Sequence, residues 1–147
     1  MKKTQLFLFL LSIFLISSSG VTLFYSLYIV KDVIVYPADV SITAGKVGFN
    51  LDKDKIHFGL VKKKSVTSKR SISVSNSDQD TVEVTIKGEG QIKKWLMSEV
   101  DNRTISSFYL KSNESKNVNL FLVPDSQAEV GKTYTGNVKI IIKRVLW

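Results

Sequence analysis

The chain contains no cysteine, one histidine and two prolines. Without cysteine, neither a disulfide framework nor a thiolate metal site can form. The single histidine, His57, lies in "KIHFG", where it alternates with Ile56 and Phe58 and reads as an ordinary strand residue. Hydrolytic chemistry needs a nucleophile held by a base. Serines are plentiful, but none stands in a G-x-S-x-G elbow. Two carboxylate pairs occur, Asp52/Asp54 and Asp78/Asp80. Both fall in turns and lack the central Gly and terminal Glu of a calcium loop. The expectation is a protein that is not an enzyme, with no catalytic residue, no metal and no cofactor.

What is present is apolar and basic. Hydrophobic residues make up 44% of 147 residues, enough to pack one domain. The formal net charge is +8; Lys2 and Lys3 precede an apolar run, and the remaining 19 basic and 13 acidic side chains leave +6. The lysines are dispersed among Asp and Glu, as on a solvated surface. The one basic cluster is "KKK", Lys62, Lys63 and Lys64, with Lys69 and Arg70 nearby. It is a candidate for contact with anionic headgroups or acidic surface polymers. It lacks the interleaved aromatics of nucleic-acid readers, so no nucleic-acid partner is expected.

The N-terminus carries the strongest signal. Leu6 to Val30 holds no charge. At 1.5 Å per residue, such a run crosses a hydrocarbon core of about 30 Å. Tyr25 and Tyr28 stand near its far end, where amphipathic rings favour the headgroup layer. Lys2 and Lys3 favour a cytoplasmic N-terminus, which places the rest outside. A cleavable signal peptide competes with this reading. Ser17 and Ser19 would occupy positions −3 and −1 of a cut before Gly20. Against cleavage, "VTLFYSLYIV" continues the apolar run past the cut. If cleavage occurs, that freed segment is suited to insertion into a neighbouring subunit as an added strand. "KRVLW" closes the sequence without a sorting motif, so attachment is expected to depend on the N-terminus.

From residue 31 onward, short β-rich runs alternate with turn residues. Strands are expected at 33–37 and 40–44, separated by Pro37, then at 47–51 and 55–61. Further strands are expected at 70–76, 81–88, 91–97, 105–111, 116–124 and 134–144. Val82, Val84 and Ile86 should point inward together, as should Val138, Ile140 and Ile142. Trp95 is expected to fill the space between sheets. With no helices between strands, an antiparallel sandwich follows and parallel βαβ units are excluded.

The stretches "FG" (58–59), "RSISVSN" (70–76), "VEVTIKGEG" (82–90), "IKKW" (92–95) and "VNLFLVPDSQAEVGKTYTGNVKI" (118–140) carry a resemblance. Over roughly residues 45 to 144, the chain resembles small immunoglobulin-like domains of exported prokaryotic proteins, common on archaeal surfaces. These are similar in layout to fibronectin type III, ASH and MSP-like modules. The resemblance implies that Asn76 caps a turn, that Pro124, Ala128, Gly131, Tyr134 and Gly136 lead into the last strand, and that Tyr134 supports the fold. It supplies no catalytic residues. A Lys- and Ile-rich composition points to an archaeal source.

Two sequons, "NRT" at Asn102 and "NES" at Asn113, are candidate glycosylation sites in polar turns. The whole reading is an all-β, immunoglobulin-like antiparallel β-sandwich (32–147) behind one N-terminal transmembrane helix or signal anchor (1–31). It would be a single-pass cell-surface module with a cytoplasmic N-terminus, held in the membrane by residues 6–30. It would bind a protein partner through a sheet edge or loops. Alternatives are a pilus or thread subunit assembled by strand donation after cleavage, and an accessory subunit of a membrane complex.

Overall fold

The structure, a computed structural model, describes residues 3–44 and 55–145. The strand expected at 47–51, the Asp52/Asp54 pair and Lys2 lie outside the described residues. The apolar run forms a helix, α1 (Lys3–Phe24), whose last stretch widens into a π-helical turn, Tyr25–Ile29. Together they span 27 residues, and the window that qualifies as a membrane span has no buried residue. That is about 40 Å of helix at 1.5 Å per residue, long and apolar enough to cross a bilayer. Two polar side chains within it bond to the preceding turn. Ser12 Oγ donates to Leu8 O (2.8 Å) and Thr22 Oγ1 to Ser18 O (2.9 Å), as a helix in hydrocarbon requires.

No linker follows. Val30 N–H closes the π turn on Tyr25 O and is itself the first residue of β1 (Val30–Ile42). Eight further strands follow: β2 (Ile56–Val61), β3 (Arg70–Ser75), β4 (Val82–Gly90), β5 (Leu96–Val100), β6 (Arg103–Thr104), β7 (Ser107–Leu110), β8 (Ser115–Leu122) and β9 (Thr133–Arg144). They form two sheets, ordered β2-β1-β9-β4-β7 and β3-β8-β5-β6. β9 is the middle strand of the larger sheet, paired along nearly its whole length with β1 on one side and β4 on the other.

Alternation explains why these segments are strands. Val82, Val84 and Ile86 are buried in β4, and Val138 and Ile140 in β9, with Ile142 packed against the same cluster. Buried side chains of both sheets form one hydrophobic cluster. Trp95 joins it, 7% exposed, with its ring edge-on to Tyr134 at 4.8 Å between centroids.

Three expectations are corrected. Pro37 does not divide two strands: it lies inside β1, opposite Asn137 of β9. A proline fits a ladder only where its nitrogen faces away from the paired neighbour. β1 has such a side there, because β2 pairs with it only from Ala38 onward. Nor are all pairs antiparallel: β1 and β2 run parallel. The stretch between Ile42 and Ile56 is long enough for the crossover that a parallel pair requires. This pair also explains "FG". The register slips between Asp39 and Ser41, and Gly59, at φ +77°, absorbs the extra residue while Phe58 stays buried. Finally, 91–97 is not one strand. Gln91–Trp95 form a turn that carries the chain from β4 in one sheet to β5 in the other. Ile92 and Trp95 are buried by the crossing rather than by a pleat.

This turn presses on β9. A Cβ at Gly136 would stand 2.2 Å from Glu89 O and 2.7 Å from Ile92 Cγ1. The obstacle is partly backbone, so it cannot rotate away. Gly136→Ala is expected to destabilise the full chain by about 3 kcal/mol, the upper range for overpacking. A urea unfolding series in detergent measures it, and a midpoint equal to wild type contradicts the close approach.

Candidate functional site

Three regions hold the side chains with chemistry to offer: the junction of helix and sheet, the β1–β2 pair, and the loops at the opposite end. At the junction, Lys31 is the extra residue of a β-bulge, between the pairs Val30–Lys143 and Asp32–Ile142. It forms an ion pair with Asp78, in the turn between β3 and β4. Lys143 of β9 sits 5.7 Å from the centre of the Tyr25 ring, a cation–π contact between sheet and π turn. Phe24 and Tyr28 stack at 5.1 Å. The helix therefore meets the sheet through side-chain contacts as well as through the chain.

The neighbouring turn is secured by Asn76. Its buried amide donates to Asp80 O (2.8 Å), Leu110 O (3.3 Å) and Lys111 O (3.0 Å), while its Oδ1 accepts from Asp78 N (3.2 Å). One side chain thus ties the β3–β4 turn to the end of β7, the capping role expected of it. Tyr134 also serves the fold. Its hydroxyl accepts from Glu129 N at 2.8 Å and its ring packs on Trp95.

Sequence gave no sign of the most ordered polar cluster. Asp39 of β1 and His57 of β2 are cross-strand partners. His57 Nδ1 donates to Asp39 Oδ1 (2.7 Å), Lys55 Nζ reaches Asp39 Oδ2 (2.8 Å), and Arg70 Nε donates to His57 O (2.6 Å). The imidazole is 6% exposed. Burial works to raise the Asp39 pKa, but hydrogen bonds and charge from Lys55 and His57 outweigh it, so its carboxyl sits below its ordinary value of 3.8. Beside it lies a shallow open depression of about 520 Å³, lined by Pro37, Asp39, Lys55, Gln91, Thr135 and Asn137 among others. The only histidine thus gives its Nδ1 to a hydrogen bond with Asp39. Among the described residues, no group of three or more His, Asp or Glu is placed to hold a metal ion.

The residues singled out by sequence fall at opposite ends. β1 runs from Val30 at the helix to Ile42, about 40 Å at 3.3 Å per residue. Ile42 pairs with Val61 and bonds to the 131–132 turn (Ile42 N to Lys132 O, 3.0 Å; Gly131 N to Ile42 O, 2.8 Å). Lys62, Lys63 and Lys64 follow Val61 and are exposed at that far end. Their distance from the helix is several Debye lengths, each about 8 Å at physiological salt. Asn102 and Asn113 lie instead toward the helix end. Asn113 is exposed in the β7–β8 turn, beyond Leu110, which pairs with Val82, itself paired with Arg144. Asp101 and Asn102, at φ +51° and +61°, form the two-residue turn of the β5–β6 hairpin. Asp101 pairs with Lys116 at 3.2 Å, near the start of β8.

No family model matches the chain, and no curated protein matches it. Among solved structures, it is similar to a Burkholderia pseudomallei antigen and type I fimbria protein at 10% identity, over 78% of this chain and 97% of that one, with a TM-score of 0.43.

Two measurements test this geometry. An Asp whose folded pKa is depressed contributes stability that is whole above its unfolded value and lost as pH falls through the folded one. Wild-type stability is therefore expected to drop as pH falls below 3.8. Asp39→Asn, expected to cost about 2 kcal/mol at pH 7, should show a shallower drop. Urea midpoints between pH 7 and pH 2.5 give both slopes, and parallel curves refute the assignment. Asn76→Ala leaves buried carbonyls unpaired and is expected to cost about 2–3 kcal/mol in the same assay.

Proposed function

We propose that this chain is a membrane-anchored, non-enzymatic module: an immunoglobulin-like β-sandwich displayed outside the cytoplasm that holds a protein partner by a sheet edge or by loops. The observation that carries this reading is the uninterrupted passage from apolar helix to paired strand. α1 continues helically through Ser17–Gly20, the stretch a signal peptidase would have to cut in extended form, and delivers the chain directly into β1. Two sheets closing on one hydrophobic cluster support the sandwich description. The reading as a binding module is favoured by β3, "RSISVS". Among the described residues it pairs only with β8, so one edge of six residues offers backbone groups to an added strand.

A second reading is favoured by the placement of β1. The first strand is held between β2 and β9, with Ala38, Val40 and Ile42 buried. If the segment before it were released by cleavage, β1 of one copy could occupy the same slot in the next, building an extracellular polymer. The intact mass of the native protein extracted from membranes separates the two. Retention of residues 1–19 is the expected result. A mass beginning at Gly20 overturns the anchor and favours strand donation.

A further inference from the structure

The loops at the Ile42 end of β1 are joined by backbone hydrogen bonds. Lys64 N donates to Pro124 O at 2.9 Å, and Val123 N donates to Trp95 O at 2.9 Å. The 62–64 turn, the 123–124 segment and the 91–95 crossing therefore lie side by side. This brings Lys62, Lys63 and Lys64 next to Lys93 and Lys94, which the sequence keeps about thirty residues apart. All five are exposed, and among the described residues none forms an ion pair. Among the described residues, nearby lysines are held by acids: Lys69 by Glu99 at 2.7 Å and Lys132 by Glu129 at 3.2 Å. The nearby Asp125 carboxylate is turned to Gln127 N at 3.0 Å.

We propose that Lys62, Lys63, Lys64, Lys93 and Lys94 form a docking surface for an acidic polysaccharide, a flexible chain bearing carboxylates. Like-charged side chains brought together without partners are stabilised by a polyanion that releases its counterions on binding. The five are all lysine. Arginine, whose planar fork suits bidentate phosphate recognition, is absent, and mobile point charges fit carboxylates spaced along a flexible polymer. Among the described residues, no aromatic ring is exposed in these loops for bases to stack on, since Trp95 is buried. Among the described residues, the large apolar side chains exposed at this end are Leu60, Val66 and Val130, none of them one of the aromatic rings that favour the headgroup layer. The inference rests on the anchored reading in one respect, that this end faces away from the chain's own membrane. The binding chemistry itself does not depend on it.

The test uses the full chain in nanodiscs of zwitterionic lipid, titrated with polygalacturonate at increasing salt. Binding is expected at low salt, weakening steeply as salt rises. Replacing Lys62, Lys63, Lys93 and Lys94 together by Gln should raise Kd at least tenfold. A reference variant that loses four cations elsewhere, at Lys87, Arg103, Lys111 and Arg144, should stay within about twofold. Wild-type footprinting by lysine acetylation gives a readout independent of any variant's folding: polymer should protect the five lysines above all others. The proposal is overturned by absence of binding, by equal loss in both variants, or by unselective protection. Tighter binding of a thymidine oligonucleotide or of phosphatidylglycerol vesicles also overturns it. Failure of any arm leaves the mass measurement of the anchor untouched, so the two readings fall separately.

Discussion

The pairing of β9 with both of its neighbours is the constraint from which the rest of the molecule follows. β9 is the last strand among the described residues, yet it lies at the centre of the larger sheet, bonded to β1 along one side and β4 along the other. The sheet cannot close until β9 is in place. Its apolar face, Val138, Ile140 and Ile142, then meets the inward residues of β4 and seals the cluster shared with the smaller sheet. Because β1 is bonded to β9 and is covalently continuous with α1, the same pairing also fixes how the helix is attached.

The crossing between sheets depends on small residues as much as on large ones. Ile92 and Trp95 enter the core from a turn, and the space Ile92 occupies exists only because Gly136 has no side chain. Trp95 in turn packs on Tyr134, whose hydroxyl holds the Glu129 amide. The passage from Pro124 to Gly136 thus works as one closure: a loop, a tyrosine that pins it, and a glycine that lets the neighbouring turn approach. Polar pairs such as Asp39–His57 and Lys31–Asp78 decorate this frame and tie strands to turns.

Much of this was legible in the sequence where a local period decides the outcome. The helix could be read from an uncharged run, and β3, β4 and β9 from alternation, because burial of one face is written every second residue. The supporting roles of Asn76 and Tyr134 came from the resemblance to immunoglobulin-like domains rather than from any local period. Features set by pairing across distance were not readable. Nothing local says that β2 runs parallel to β1, or that Pro37 falls where one side of a strand is unpaired. "QIKKWLM" has the apolar content of a strand, and only the change of sheet makes it a turn. The Asp39–His57 pair depends on register between strands eighteen residues apart. The adjacency of Lys93 and Lys94 to Lys62–Lys64 depends on two loop hydrogen bonds that no spacing rule anticipates.

The missing linker between α1 and β1 has a mechanical meaning. A tethered domain usually hangs on flexible residues that take up strain before the fold feels it. Here β1 follows the helical turn directly, so a pull on the far loops would reach the helix through β1 itself. In the β1–β9 ladder, whose strands lie along that pull, the hydrogen bonds are loaded in shear, many at once, rather than peeled one after another. On the anchored reading proposed above, the domain would be a stiff post set on the helix, and a force applied at its tip would reach the membrane with little slack.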